Sequence, residues 1–196
     1  MNKLINRSVF RNFSTYLLKN ARVVNSDVST TADVLIEDGK IAALSSSLTH
    51  KNANVIDCSG KLLIPGGIDT HTHMQLPFMG TYAKDDFDTG SKAAIAGGTT
   101  SFIDFAIPSK GTPMREAYKT WRGWADSKVN CDYSLHAAVV DWNQETIDDM
   151  KRMVENGVQS FKFFMAYNNV LRLDDVSMYK AFEVARDLGA LCIVHA

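Results

Sequence analysis

The stretch Pro65-Gly66-Gly67-Ile68-Asp69-Thr70-His71-Thr72-His73-Met74 marks the point where the chain changes rhythm. A Pro-Gly-Gly turn opens a short β-prone run, which ends on two histidines spaced two apart. Downstream, strand-like runs alternate with helical ones. The strands read as Gly67–His71, Thr100–Ala106, Tyr133–Val140, Ser160–Met165 and Ala190–His195, and the helices as 86–96, 113–128, 144–156 and 174–188. Thr112-Pro113 marks a helix start, and Gly157 and Gly189 follow helix ends. The step from His71 to Asp104 is 33 residues, then 32 to His136, 26 to Lys162 and 33 to His195. A unit of about 30 residues is one β/α repeat of a barrel. The expected fold class is therefore α/β, with residues 65–196 forming an incomplete (β/α)8 TIM-type barrel of about five β/α units.

Upstream, residues 15–64 read as a small all-β sandwich portion. Tyr16-Leu17-Leu18 and Ala21-Arg22-Val23-Val24 are β-prone. Val34-Leu35-Ile36 runs through the turn Glu37-Asp38-Gly39-Lys40 into Ile41-Ala42-Ala43-Leu44, a hairpin by its turn chemistry. Val55-Ile56-Asp57 and Leu62-Leu63-Ile64 flank a turn at Ser59-Gly60. About fifty residues make a small core, so this portion is expected to pair with chain from elsewhere.

The 196 residues hold 21 Lys+Arg and 22 Asp+Glu, with 45% hydrophobic residues. That composition fits a globular chain and argues against disorder. No apolar run reaches the ~18–20 residues of a membrane span, and the balanced charge carries no nucleic-acid footprint. The charge is uneven, however. Residues 1–26 hold Lys3, Arg7, Arg11, Lys19 and Arg22 and no acid, leaving 16 basic and 22 acidic residues over 27–196. Residues 1–14 read as a mitochondrial targeting segment, with Arg11-Asn12-Phe13-Ser14 resembling a matrix-peptidase site cut after Phe13. The expected location is the mitochondrial matrix, with the cytoplasm as the alternative. Cys58, Cys131 and Cys192 are odd in number and widely spaced, which suits a reducing compartment.

His71 and His73 sit two apart on extended chain, which places both imidazoles on one face at the C-terminal end of a barrel strand. Barrel active sites lie at that end, and two imidazoles aimed at one spot suit a metal ion. Lys162 stands in the apolar run Phe161-Lys162-Phe163-Phe164. Either it lies at a strand edge with its amine in water, or it is inside the barrel and neutralised by burial. A neutral amine can add carbon dioxide, giving a carbamate able to bridge two metal ions ~3.5–4 Å apart. His195 closes the fifth strand, as a third imidazole ligand or a capped core histidine. Tyr167, five residues past Lys162, is either an oxyanion hydrogen-bond donor or a packed loop tyrosine. Asp104 and His136 read as supporting or core residues, Asp69 as orienting the histidine strand, and Tyr118, Trp121 and Trp124 as helix-face packing. Met74, Phe78 and Met79 read as pocket lining, with an oligomer contact as the alternative.

Pro65–Met74, Gln75–Gly80, Asp85–Asp88, Ala93–Thr100, Ile103–Phe105, Ser160–Tyr167 and Val194–Ala196 together give the sequence a close resemblance to the dihydropyrimidinase/hydantoinase branch of the amidohydrolase superfamily. The resemblance runs from about residue 17 to the end. It implies a barrel beside a β-sandwich and a centre of two zinc ions. His71 and His73 would hold one ion, carboxylated Lys162 would bridge the pair, and His195 would bind the second. Hydroxide held at the metal would attack a cyclic amide carbonyl, and Tyr167 would steady the oxyanion. The reaction implied opens a 5,6-dihydropyrimidine or hydantoin ring in pyrimidine catabolism. Dihydroorotases resemble this chain less, because an arginine usually stands where Gln75 does.

The resemblance also implies a histidine from a sixth strand and an aspartate from an eighth, and neither falls within residues 1–196. The expectation is therefore an N-terminal part of a hydrolase, inactive as this chain alone. A structural subunit in a larger assembly, or one half of a split enzyme, is the alternative. Either way, an oligomer or partner chain is expected to cover the barrel edges.

Overall fold

The computed structural model describes residues 14–196. The targeting segment read at 1–14 therefore lies, but for Ser14, outside the described residues. The chain divides into two compact units at Pro65/Gly66.

The first unit holds β1 (Tyr16–Val24), β2 (Ser29–Glu37), β3 (Lys40–Ser45), β4 (Asn54–Asp57) and β5 (Leu62–Leu63). They make one mixed sheet in the order β3-β2-β1-β4, with β5 also on β1. β2 and β3 form the hairpin that the Asp38-Gly39 turn dictates, both turn residues having positive φ. β4 and β5 run parallel to β1, beside its first and second halves respectively. The two β-prone runs at 16–24 are one strand with a bulge, since Leu18 pairs with Val34 and Ala21 with Ala32. Asn20, inside the bulge, has φ 59°. Asp33 of β2 is buried opposite it and closes the irregularity. Its carboxylate accepts from the Asn20 amide at 2.8 Å, the Leu48 amide at 2.9 Å and the Lys19 ammonium.

The second unit begins with β6 (Gly67–Thr72), followed by a small hairpin of β7 (Pro77–Phe78) and β8 (Thr81–Tyr82). Then come α1 (Phe87–Ala96), β9 (Thr99–Ala106), α2 (Met114–Ala125), β10 (Asp132–Ala138), α3 (Gln144–Glu155), β11 (Ser160–Phe164), α4 (Asp175–Asp187) and β12 (Leu191–His195). The five long strands form a curled parallel half-barrel sheet in the order β12-β11-β10-β9-β6. Helix starts follow cap chemistry. Asp86 and Thr89 make a capping box, Asn143 accepts from the Thr146 amide, and Asp174 accepts from the Ser177 amide. Gly66 is required by close approach, because a Cβ there would fall 2.1 Å from Thr100 Oγ1.

Alternation fills both sheet faces. Phe102, Leu135, Ala137, Val139, Phe161 and Phe163 pack against the helices. Met74 is among them, buried in the cluster with Phe87, Phe102 and Trp121, so it is core and does not line a pocket. No helix among the described residues is long and apolar enough to cross a membrane.

The Asp33 contacts hold its carboxyl down to about 2, led by the Lys19 hydrogen bond. A carboxyl pKa below its unfolded value of ~3.9 stabilises the fold above that pH, and the gain is lost as pH falls toward 2. Asp33→Asn is expected to lower the thermal midpoint at neutral pH and to remove that acid-limb dependence. Unfolding followed from pH 2 to 7 for both proteins checks it.

Candidate metal centre

β6 does not run straight into its histidines. Asp69 pairs with Phe102 and Thr72 with Asp104, so three steps on β6 face two on β9. The extra residue is a bulge, which re-aims every side chain beyond it. His71 and His73 consequently fall on the concave face, over the Phe105 ring, at centroid distances of 4.5 and 4.9 Å. Their own rings lie 5.1 Å apart.

The backbone loosened by the bulge is taken up by side chains. Asp69 Oδ1 accepts from the His71 amide at 3.0 Å. His136 sits beside Phe105 and bonds the Thr70 carbonyl through Nε2 at 3.0 Å. Because a carbonyl only accepts, Nε2 carries the proton, and Nδ1 accepts from Ser160 Oγ. Asp104 Oδ2 accepts from Thr72 Oγ1 at 2.8 Å and from the Met74 amide at 2.7 Å. Sequence reasoning set Asp104 and His136 apart as supporting residues. It had no means of finding these partners, because the bulge that creates them has no sequence signal of its own.

Lys162, on β11, is 3% exposed, which settles its two readings in favour of burial. Its Nζ lies 5.4 Å from the ring centres of both Phe105 and Phe164. It forms no ion pair among the described residues. Burial pushes its pKa down. His71 and His73 are also pushed down, first by burial and further by the nearby charges of Lys162 and His195. The mutual influence brings His71, His73, Lys162 and His195 into one electrostatic neighbourhood. His195 lies 6.0 Å from Phe164 and 5.3 Å from Tyr167, ring to ring.

Tyr167 opens the loop after β11 with φ 59°. Its carbonyl accepts from the Val170, Leu171 and Arg172 amides at 3.0, 2.9 and 3.1 Å, which pins the residue in this left-handed conformation. Phe78, on the small hairpin, meets the Tyr167 ring edge-on at 5.4 Å. Met79, at the hairpin tip, is 81% exposed. The Gln75 amide oxygen accepts from Lys128 Nζ.

Among the described residues, no three His, Cys, Asp or Glu side chains close on one point tightly enough to hold an ion by themselves. The donor chemistry nevertheless suits a metal. Imidazoles kept neutral are ready ligands, and the missing anionic donor is what a carbamate on an amine-bearing Lys162 would add.

The Amidohydrolase family profile matches residues 62–196. The chain is 52% identical over 186 residues to a dihydropyrimidinase of Rattus norvegicus, covering 92% of this chain and 36% of that protein. It is 52% identical over 184 residues to a dihydropyrimidinase of Dictyostelium discoideum, covering 93% and 37%. A crystal structure of a D-hydantoinase superposes with a TM-score of 0.90 at 42% identity, covering 93% of this chain and 40% of that one. The chain thus spans well under half the length of these relatives.

The buried amine without a carboxylate partner works against the metal-free fold. Lys162→Met keeps the volume and removes the amine. In the presence of chelator this variant is expected to melt higher than the parent by roughly 2–4 °C, what about 1 kcal/mol gives at this size. Differential scanning calorimetry checks the sign.

Proposed function

Since this chain belongs to the amidohydrolase family, we propose that it supplies the first metal-binding part of a zinc-dependent hydrolase that opens cyclic amides of the dihydropyrimidine or hydantoin type. The chain is a dihydropyrimidinase/hydantoinase-like segment, spanning about 40% of the relatives' length. The observation that carries the proposal is the gathering of His71, His73, His195 and a buried Lys162 on one concave face.

In this reading His71 and His73 would hold one zinc ion, Lys162 as its carbamate would supply the anionic donor shared by two, and His195 would hold the second. Bound zinc supplies Lewis acidity and acidifies a water molecule. The chain's own groups do the rest. Phe105 and Phe164 wall Lys162 off from water and keep its amine free to add carbon dioxide. The Tyr167 hydroxyl donates a hydrogen bond to the oxygen that gains charge as the ring carbonyl is attacked. Phe78 holds the Tyr167 ring from the other side. The exposed Ile68 of β6 and the exposed Leu191 and Val194 of β12 mark the two sheet edges as surfaces covered by further strands or a partner. The mitochondrial matrix remains the proposed location.

Three measurements test the reading. Zinc content of the chain refolded with bicarbonate is expected to fall to background in His73→Ala and Lys162→Ala. A 13C carbamate resonance from labelled bicarbonate is expected in the parent and absent in Lys162→Ala. The 196-residue polypeptide alone is expected not to hydrolyse dihydrouracil. Hydrolysis by it that Lys162→Ala abolishes would overturn the proposed inactivity, and a parent without zinc or carbamate would overturn the metal centre.

A further inference from the structure

Asp104 is fully buried and has no cationic partner among the described residues, yet it is not idle. One of its oxygens, Oδ2, takes both the Thr72 hydroxyl and the Met74 amide, the two groups that flank His73. The other, Oδ1, takes the Phe105 amide at 2.7 Å. Phe105 in turn is the ring beneath His71 and His73. The carboxylate therefore ties the residues on either side of one imidazole, Thr72 through its hydroxyl and Met74 through its amide, to the strand that carries the floor both imidazoles rest on. The buried Trp121 indole N–H lies near the same carboxylate without forming a full hydrogen bond.

We infer that Asp104 is a positioning residue for the metal centre, fixing the direction of His73, and through it the His71/His73 pair, by clamping Thr72 and Met74. The inference rests on the functional reading above. Asp104 touches neither metal nor substrate and acts only through the strand it holds. Groups that orient metal-binding imidazoles typically alter affinity 10–100-fold when changed. Asparagine is the sharpest probe, because it keeps the shape but turns one acceptor into a donor facing N–H and O–H groups.

The test uses the full chain and Co2+ as probe, read by competition with a chelating dye and by the ligand-field absorption band. Asp104→Asn is expected to weaken Co2+ binding roughly 10–100-fold and to change the band, with far-UV circular dichroism retained. Thr72→Val, which deletes one bond of the clamp, is expected to lose affinity in the same direction, and Thr72→Ser to restore it. Asp104→Asn binding Co2+ within about twofold of the parent with an unchanged band overturns the inference, even if its thermal midpoint falls. If Asp104→Asn does not fold, the threonine pair decides: loss in Val with recovery in Ser supports the clamp, and parent-like binding by both overturns it. A parent that takes up no Co2+ sinks the functional reading instead. The clamp is then judged on the Met74 amide, whose hydrogen exchange accelerates in Thr72→Val and Asp104→Asn if the inference holds and is unchanged if it fails.

Discussion

One extra residue in β6 sets the terms for everything on the concave face. A parallel strand gives its neighbours a fixed sequence of hydrogen bonds, and a bulge takes some of them away. A backbone group left unmet where it is buried costs about as much as a lost hydrogen bond. Here Asp69, Asp104 and His136 meet them from three strands. The distortion that brings both histidines to the concave face is thereby held by side chains, which can be placed more freely than a backbone ladder allows. The first unit repeats the solution: Asp33 closes the bulge at Asn20 with the same kind of acceptor on the neighbouring strand.

The site is assembled from groups that resist their charged forms. Burial lowers the pKa of His71, His73, His136 and Lys162, and raises that of Asp104 to about 6. Neutral nitrogen bases around an aromatic floor do not stabilise a fold by themselves. Stability comes instead from the convex side, where alternate residues of the same strands meet the helices. β11 divides the work within five residues, with Phe161 and Phe163 packed outward and Lys162 and Phe164 turned inward.

Much of this was legible in the sequence. The alternation of apolar runs with helical stretches places the five strands and four helices to within two or three residues, because Thr112-Pro113, Gly157 and Gly189 carry local physical meaning. The pairing of His71 with His73 and the unusual lysine among phenylalanines stood out as chemistry without a partner. What stayed hidden depended on chain far away in sequence. The bulge is a mismatch between two strands, so neither strand announces it. Met74 is apolar in either a pocket or a core, and only the position of α1 and α2 decides for the core. The short β7–β8 hairpin falls below the length at which alternation can be read, and it carries Phe78 to Tyr167.

The strand order of the second unit follows chain order without a crossover skip, each long strand lying beside the one made before it. During synthesis, then, no strand has to wait for a distant partner. The histidine strand leaves the ribosome first, and Asp104 follows 33 residues after His71. At ~5–20 residues per second that interval is ~2–7 s. For those seconds only Asp69, on the same strand, is at hand to meet the β6 bulge. When β9 docks, its pairing and the carboxylate arrive together, and His136 of β10 completes the closure one repeat later, so the ligand strand is shaped by strands that precede those of Lys162 and His195 in the chain.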